Sequence, residues 1–262
     1  MIEYNTISNN INFENILHSN DQRKLRIYRS RLAESTQIDL TQGEFVLYNL
    51  SGSFTVNIGE YSYKIKDRKS VTENNPAAIQ FINSQESLRI NIIINSKYAD
   101  FLLVHLDSPQ SKDHSSIVNF ESHKVGKKHY SRYVREGNSD YSIFKIHCGE
   151  TLNDTGCWSS WPSHANDNDL ISFSNEETYW NEAFFVITPA YGVMHYKGMF
   201  EPGKFEENTL KINNGDCFYT PLGSHPIVAS PDSWLWYAWF YYGDALTKQY
   251  NRWATDVKTY VK

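Results

Sequence analysis

Residues 44–65 read as strand, turn, strand, turn, strand: 44–50, a Ser51-Gly52 turn, 54–58, a Gly59-Glu60 turn, and 61–65. Side chains alternate faces along a strand, so short alternating runs closed by glycine turns predict an antiparallel sandwich or barrel. The rhythm continues at 77–81, 87–94 and 101–106. After a polar bridge it restarts at 141–147, 182–188, 192–199, 217–220 and 235–242. Aromatic residues make up 15% of the chain, while glycine and proline are scattered singly, a composition suited to strands and tight turns rather than long helices. The prediction is an all-β chain built from two tandem β-barrel, jelly-roll units.

With 262 residues the chain can bury two cores of ordinary size. Residues 1–24 are polar and Asn-rich and form a lead-in segment, in which 12–17 supports one or two helical turns at most. Residues 25–122 make the N-terminal barrel, 107–126 the connection, and 123–262 the C-terminal barrel. The duplication is architectural, because no strong sequence repeat accompanies it. A formal charge of -5 offers no general attraction to polyanions, which excludes nucleic acid as a partner and favours a small ligand. Cys148, Cys157 and Cys217 form no C-x-x-C pair, so no disulfide is expected. The N-terminus lacks a basic segment followed by an apolar one, and the most apolar stretch, 234–242, is too short for a helical membrane span. The expectation is a cytoplasmic protein without membrane attachment.

Candidate chemistry concentrates in the second half. His164 lies in the turn-rich segment 156–167, His225 in the segment 215–226, and Glu182 between them at the head of an aromatic run. Two imidazoles and a carboxylate are the usual minimum for a catalytic divalent metal that keeps positions open for substrate. His164 and Asn166, spaced i and i+2, share a face if their segment is extended. The alternative is that these are hydrogen-bonded structural residues, since the chain holds 9 histidines. Trp158, Trp161, Phe184, Phe185, Tyr219 and Pro221 supply the apolar lining expected around a few convergent polar groups.

Gly149-Glu150-Thr151, Trp158-Ser159-Ser160-Trp161-Pro162-Ser163-His164, Gly215-Asp216 and Pro221-Leu222-Gly223-Ser224-His225-Pro226 resemble the bicupin isomerases that act on 5-deoxy-glucuronate in inositol breakdown. The isomerase of 5-dehydro-4-deoxy-glucuronate is a more distant relative. The resemblance extends weakly into the first half, at Leu50-Ser51-Gly52-Ser53-Phe54-Thr55-Val56 and Asp67-Arg68-Lys69-Ser70-Val71. It implies aldose–ketose isomerisation of a deoxy sugar acid at a divalent metal, zinc or manganese. The implied ligands fall on His164, Glu182 and His225, and a second histidine of the family falls on Asn166, whose amide oxygen is a weaker ligand for such ions. Glu176 and Glu177 rival Glu182, because the stretch 167–181 is longer than the family's.

His195, Tyr219 and Glu177 are candidates for the proton-carrying base or acid. Arg132, Arg135 and Lys197 are candidates for the substrate carboxylate, with Trp161 as a stacking wall; the alternative for the two arginines is a solvated basic linker after Lys124, Lys127 and Lys128. The first half has no comparable histidine cluster, since His18 and His105 stand alone without a carboxylate at a matching interval, and it is expected to be metal-free. The run 234–242 carries aromatics on both faces, which reads as core or as a subunit interface of a homo-oligomer. Cys217 reads as a small buried hydrophobe. A second reading of the whole, motivated by Asn166, is a sugar-binding or regulatory bicupin without catalysis. The third is a purely structural β protein.

Overall fold

A computed structural model of the chain describes residues 14–18, 25–108, 111–140, 142–161, 164–165, 181–201, 204–220, 224–242 and 252–253. Among the described residues the secondary structure is β, apart from one 3-10 turn at Lys128–Tyr130. None of their helices is long and apolar enough to cross a membrane. The chain divides into two compact units, Met1–Phe120 with Gly137–Ser139, and Glu121–Glu136 with Asp140–Lys262.

The first unit contains β1 (Glu14–His18), β2 (Arg26–Leu32), β3 (Thr36–Leu40), β4 (Gly43–Ile58), β5 (Tyr61–Arg68), β6 (Ala78–Asn83), β7 (Leu88–Ile94), β8 (Ala99–Leu106) and the start of β9 (His114–Val125). β4 belongs to two sheets. Its first half pairs with β6 and β8, and its second half with β5 and β7. The expected Ser51-Gly52 turn is therefore a bend within one 16-residue strand. Register slips on both sides of it, and Gly52 has φ +80 with a virtual Cβ 2.0 Å from the Tyr98 carbonyl oxygen, so only glycine lets the strand curl there. Phe45, Leu47, Phe54 and Val56 alternate into a core shared with Phe81 and Phe101.

Two expectations for this region give way. Residues 14–18 pair with β2 instead of forming a helical turn, since strand pairing outweighs a weak local preference. The polar bridge holds β9, whose residues 114–118 pair with β6; Val118 is its one buried side chain, so composition concealed the strand.

The second unit contains β10 (Arg132–Asn138), β11 (Ile146–Asn153), β12 (Trp158–Ser159), β13 (His164–Ala165), β14 (Asn181–Ile187), β15 (Tyr191–Glu201), β16 (Lys204–Asn213), β17 (Cys217–Thr220), β18 (Ile227–Ala229), β19 (Leu235–Tyr242) and β20 (Arg252–Trp253). One sheet runs β10-β11-β19-β14-β17, a second runs β12-β18-β15-β16, and β13 pairs with β20. The expected strand 141–147 is mostly turn: Asp140 Oδ1 accepts from the Ser142 backbone N–H at 2.9 Å and from its hydroxyl at 2.6 Å, so the strand begins at Ile146. Phe184, Val186, Leu235, Tyr237 and Trp239 from the first sheet meet Met194, Ile227 and Ala229 from the second. That core is the wall of the candidate site.

Candidate active site

β14 lies between β19 and β17, with Glu182 opposite Tyr241 and Thr220, and Phe184 opposite Trp239 and Phe218. Residues paired across antiparallel strands project to one face, so Glu182 shares the inward face of Phe184, Tyr237 and Trp239. His225 follows Ser224, which bridges to Lys197 of β15, and the Pro226 carbonyl accepts from the His195 backbone N–H at 3.0 Å. This anchoring brings His225 onto β14. Its Nε2 lies 3.0 Å from Glu182 Oε2, with the two side chains 1% and 3% exposed, and its ring stands edge-on to Phe184 at 5.2 Å.

A carboxylate sealed into an aromatic core is costly unless it is paired or binds a metal. The donor set suits both. Adjacent ligands on a divalent ion, each bonded at about 2.1 Å, stand roughly 3.0 Å apart at a right angle and roughly 3.4 Å apart in a tetrahedron. Glu182 and His225 thus fit as two ligands. Among the described residues no group of three or more His, Cys, Asp or Glu completes a metal centre.

A polar chain runs along the same inward face. Arg132 pairs with Asn153 across β10 and β11, and Thr151 pairs with Tyr237 across β11 and β19. The Tyr237 hydroxyl is hydrogen-bonded to the side chains of Ser159 and Thr151; burial raises its pKa, the Arg132 guanidinium opposes that rise and the Glu182 carboxylate adds to it. The phenol is therefore a neutral hydroxyl that feels both a cation and an anion. Ser159 Oγ donates to the Ile227 carbonyl at 3.2 Å and accepts from Asn153 Nδ2 at 2.9 Å. Arg132 Nη1 donates to the carbonyls of Tyr130 at 3.1 Å and Trp161 at 3.4 Å.

Residues 9–259 match the family model described as KduI/IolB. The chain belongs to the KduI/IolB family. Its sequence is 28% identical to the 5-deoxy-glucuronate isomerase of Shouchella clausii (strain KSM-K16) over 195 residues, 71% of this chain and 68% of that protein. Its fold is similar to an IolB-like protein of Salmonella typhimurium LT2, with a TM-score of 0.73 at 19% identity over 92% of this chain and 93% of the other. A mutant oxalate decarboxylase of Bacillus subtilis aligns with a TM-score of 0.57 at 14% identity, covering 86% of this chain and 70% of that one. The architecture is the expected all-β bicupin.

Within this KduI/IolB chain, five sequence-predicted residues stand away from the inward face. His195 and Lys197 occupy the face of β15 opposite buried Met194; His195 Nε2 pairs with Glu207 Oε1 at 3.2 Å on a partly exposed surface. Strand alternation corrects their assignment, since one residue of offset from Met194 turns a side chain to the other side. Tyr219 pairs with Ala183, one step out of phase with Glu182, and its hydroxyl donates to Asn181 Oδ1 at 2.8 Å, so it is not placed to serve as the base. Arg135 points opposite to Arg132 and is paired with fully buried Glu150, which uses its charge inside the protein. Phe185 shares that reverse face, leaving Phe184 as the lining residue.

Trp161 is 36% exposed and packs against Trp158 at 5.9 Å; its contribution to Arg132 is a backbone carbonyl. Cys217 is free, and burial raises its thiol pKa beyond any nucleophilic use. The His164 backbone sits on β13, opposite Trp253 of β20. The side chain of His164 and the whole of Asn166, Glu176, Glu177 and Pro221 lie outside the described residues. Sequence reasoning passed over Tyr237 and His147. His147 is 3% exposed and pairs with Tyr241 on the Glu182 face. The signal for both was period two: alternate residues of 235–241 and 147–153 share the face that holds Glu182.

Proposed function

We propose that the chain is a metal-dependent aldose–ketose isomerase of a deoxy sugar acid, of the 5-deoxy-glucuronate type. The observation that carries the reading is the buried contact between Glu182 and His225, two donors aimed at one point inside the C-terminal barrel of a KduI/IolB chain. Glu182 and His225 would hold the ion, with His164 and Asn166 the further ligands that the family resemblance implies. A divalent ion there, zinc or manganese, supplies a Lewis acid for the carbonyl and hydroxyl oxygens of the open-chain sugar.

The chain's own residues set the surroundings. Phe184, Trp239 and Phe218 exclude water, which strengthens every charge in the site, and Tyr237 keeps a neutral hydroxyl on its wall. The isomerisation needs a base that takes a proton from the carbon beside the carbonyl and returns it to the former carbonyl carbon. With His195 and Tyr219 facing away, Glu177 is the remaining sequence candidate for that task.

Asn166 in a histidine position favours a second reading, a bicupin that binds a sugar acid without converting it. Metal content of the protein as isolated, followed by turnover of 5-deoxy-glucuronate with that metal restored, tests both. Metal-dependent turnover supports the isomerase. Tight sugar-acid binding in calorimetry with neither metal nor turnover overturns it in favour of the binding protein.

A further inference from the structure

Three buried arginines have their side-chain contacts described, and they differ in how their charge is used. Arg68, fully buried, donates from Nε, Nη1 and Nη2 to the carbonyls of Ser70, Asn49, Val71 and Glu73, a guanidinium wholly consumed in shaping a loop. Arg135 is neutralised by Glu150. Arg132 is 9% exposed, and among the described residues it meets no carboxylate. Only its Nη1 is engaged, by two carbonyls, while Nε and Nη2 meet no acceptor among the described residues.

A desolvated guanidinium with half its fork unused is a poor structural element, because an uncompensated buried charge is costly. It is a good receptor, because Nε and Nη2 form the edge that grips a carboxylate through two parallel hydrogen bonds. Arg132 is also connected to the reacting end of the site. The Tyr237 hydroxyl lies within electrostatic reach of both its guanidinium and the Glu182 carboxylate, and Ser159 and Thr151 hold that hydroxyl in place.

We propose that Arg132 is the anchor for the substrate carboxylate, and that the line Arg132, Tyr237, Glu182 fixes which end of the sugar acid meets the reacting centre. The inference rests on the isomerase reading and deepens it. The charged end is gripped by the free edge of Arg132, the carbonyl end lies at Glu182 and His225, and Tyr237 spans the carbons between. Selectivity for an acid over a neutral sugar then resides in Arg132. Arg135, Lys197 and His195 do not contribute to it.

The test compares 5-deoxy-glucuronate with 5-deoxy-glucose, which carries a neutral hydroxymethyl group in place of the carboxylate, in the metal-loaded wild type, Arg132→Met and Arg132→Lys. The wild type is expected to prefer the acid. Arg132→Met is expected to lower the acid-to-neutral ratio of kcat/KM by about 100-fold, mostly through KM, and Arg132→Lys by about ten-fold, because a point charge replaces the fork. Thermal melting without substrate provides the second readout: Arg132→Met should melt no lower than wild type, since it removes a charge that no carboxylate among the described residues balances.

A wild-type ratio retained in Arg132→Met overturns the anchor while leaving the isomerase intact. A melting temperature several degrees below wild type overturns it as well, by making Arg132 a structural residue with a partner inside the protein. Absence of turnover with either sugar in the wild type is the distinct result that removes the isomerase reading itself.

Discussion

Two histidines, one in each unit, are buried to nearly the same depth, His105 at 2% exposure and His225 at 1%, yet their surroundings prepare them for opposite work. The His105 ring lies flat on Phe45, 4.4 Å between centroids and 4° from parallel. Arg26 Nη1 stands 3.1 Å from its Nδ1, and the Gln42 carbonyl 3.3 Å from its Nε2. A guanidinium can only donate, so Nδ1 accepts and Nε2–H donates, which fixes a neutral tautomer. Gly43 makes room for this, since a Cβ there would sit 2.4 Å from Nε2. His225 instead meets a carboxylate, with its ring edge on Phe184. A donor beside the first ring locks it as core; an acceptor beside the second keeps it ready for a cation. Burial and residue type alone do not separate these two histidines, and the charge of the nearest partner does.

The most severe way to break this contrast is to remove the proposed ligand pair. His225→Ala or Glu182→Gln is expected to lower kcat/KM by more than about 100-fold, beyond the loss typical for residues that merely support a metal ligand, and to reduce metal content in the purified protein. His105→Gln should leave turnover unchanged. Equal activity losses in both units would erase the distinction drawn between the two histidines.

Next in size is the pair of arginines on β10. Arg135→Met strands buried Glu150 and is expected to cost about 3–5 kcal/mol in chemical denaturation, whereas Arg135→Met combined with Glu150→Leu should recover most of that loss. All 7 tryptophans lie at position 158 or later, so tryptophan fluorescence follows the second unit specifically. Denaturation of Arg135→Met that matched wild type would show the pair to be dispensable, and the contrast with Arg132 would lose its reference.

The alternation of 44–65 made the strand class legible, because a period of two survives in a single sequence. That Glu182 and His225 could meet was also legible, since Glu182 heads an aromatic strand run and His225 lies in a turn segment resembling the family's. Phase was not. His195, Lys197 and Tyr219 each lie on a correctly expected strand, but one residue of offset turns them away from Glu182, and only pairing partners determine that offset. Nor did composition distinguish Arg132 from Arg135, three positions apart, because the difference is a partner on the neighbouring strand, Glu150. Tyr237 was hidden for the converse reason: in a run of aromatics, a hydroxyl with polar neighbours looks the same as core.

The first unit offers a smaller effect with a definite sign. Burial, aided by Arg26, lowers the His105 pKa from 6.5 to about 4, against the opposing Gln42 carbonyl and Asp107. As pH falls through 6.5 the unfolded chain takes up a proton that the folded one refuses, so this contribution to stability is complete at neutral pH and is lost as pH falls from 6.5 towards 4. Over that window it amounts to roughly 3 kcal/mol, of which roughly 2 kcal/mol is lost by pH 5. His105→Gln should flatten that part of the pH dependence. Hydrogen exchange at the amides of β8 reads it within the first unit, and an unaltered slope in the variant would remove the neutral buried imidazole from the account.

The smallest change probes the link between the two poles of the site. Tyr237→Phe keeps the ring in its aromatic layer and deletes one hydroxyl, leaving Ser159 with its Asn153 and Ile227 partners, so the stability cost should stay near the usual value for one buried hydrogen bond, about 1 kcal/mol. Because that hydroxyl is electrostatically coupled to both Arg132 and Glu182, the effect on catalysis should exceed the effect on folding: about a ten-fold fall in kcat for 5-deoxy-glucuronate, equivalent to about 1.4 kcal/mol, with little change in KM. Thr151→Val, which leaves the phenol in place but removes one of its supports, should show a weaker loss of the same kind. Were Tyr237→Phe to lower stability while leaving kcat at the wild-type value, Tyr237 would belong with His105 among the residues that only build the barrel.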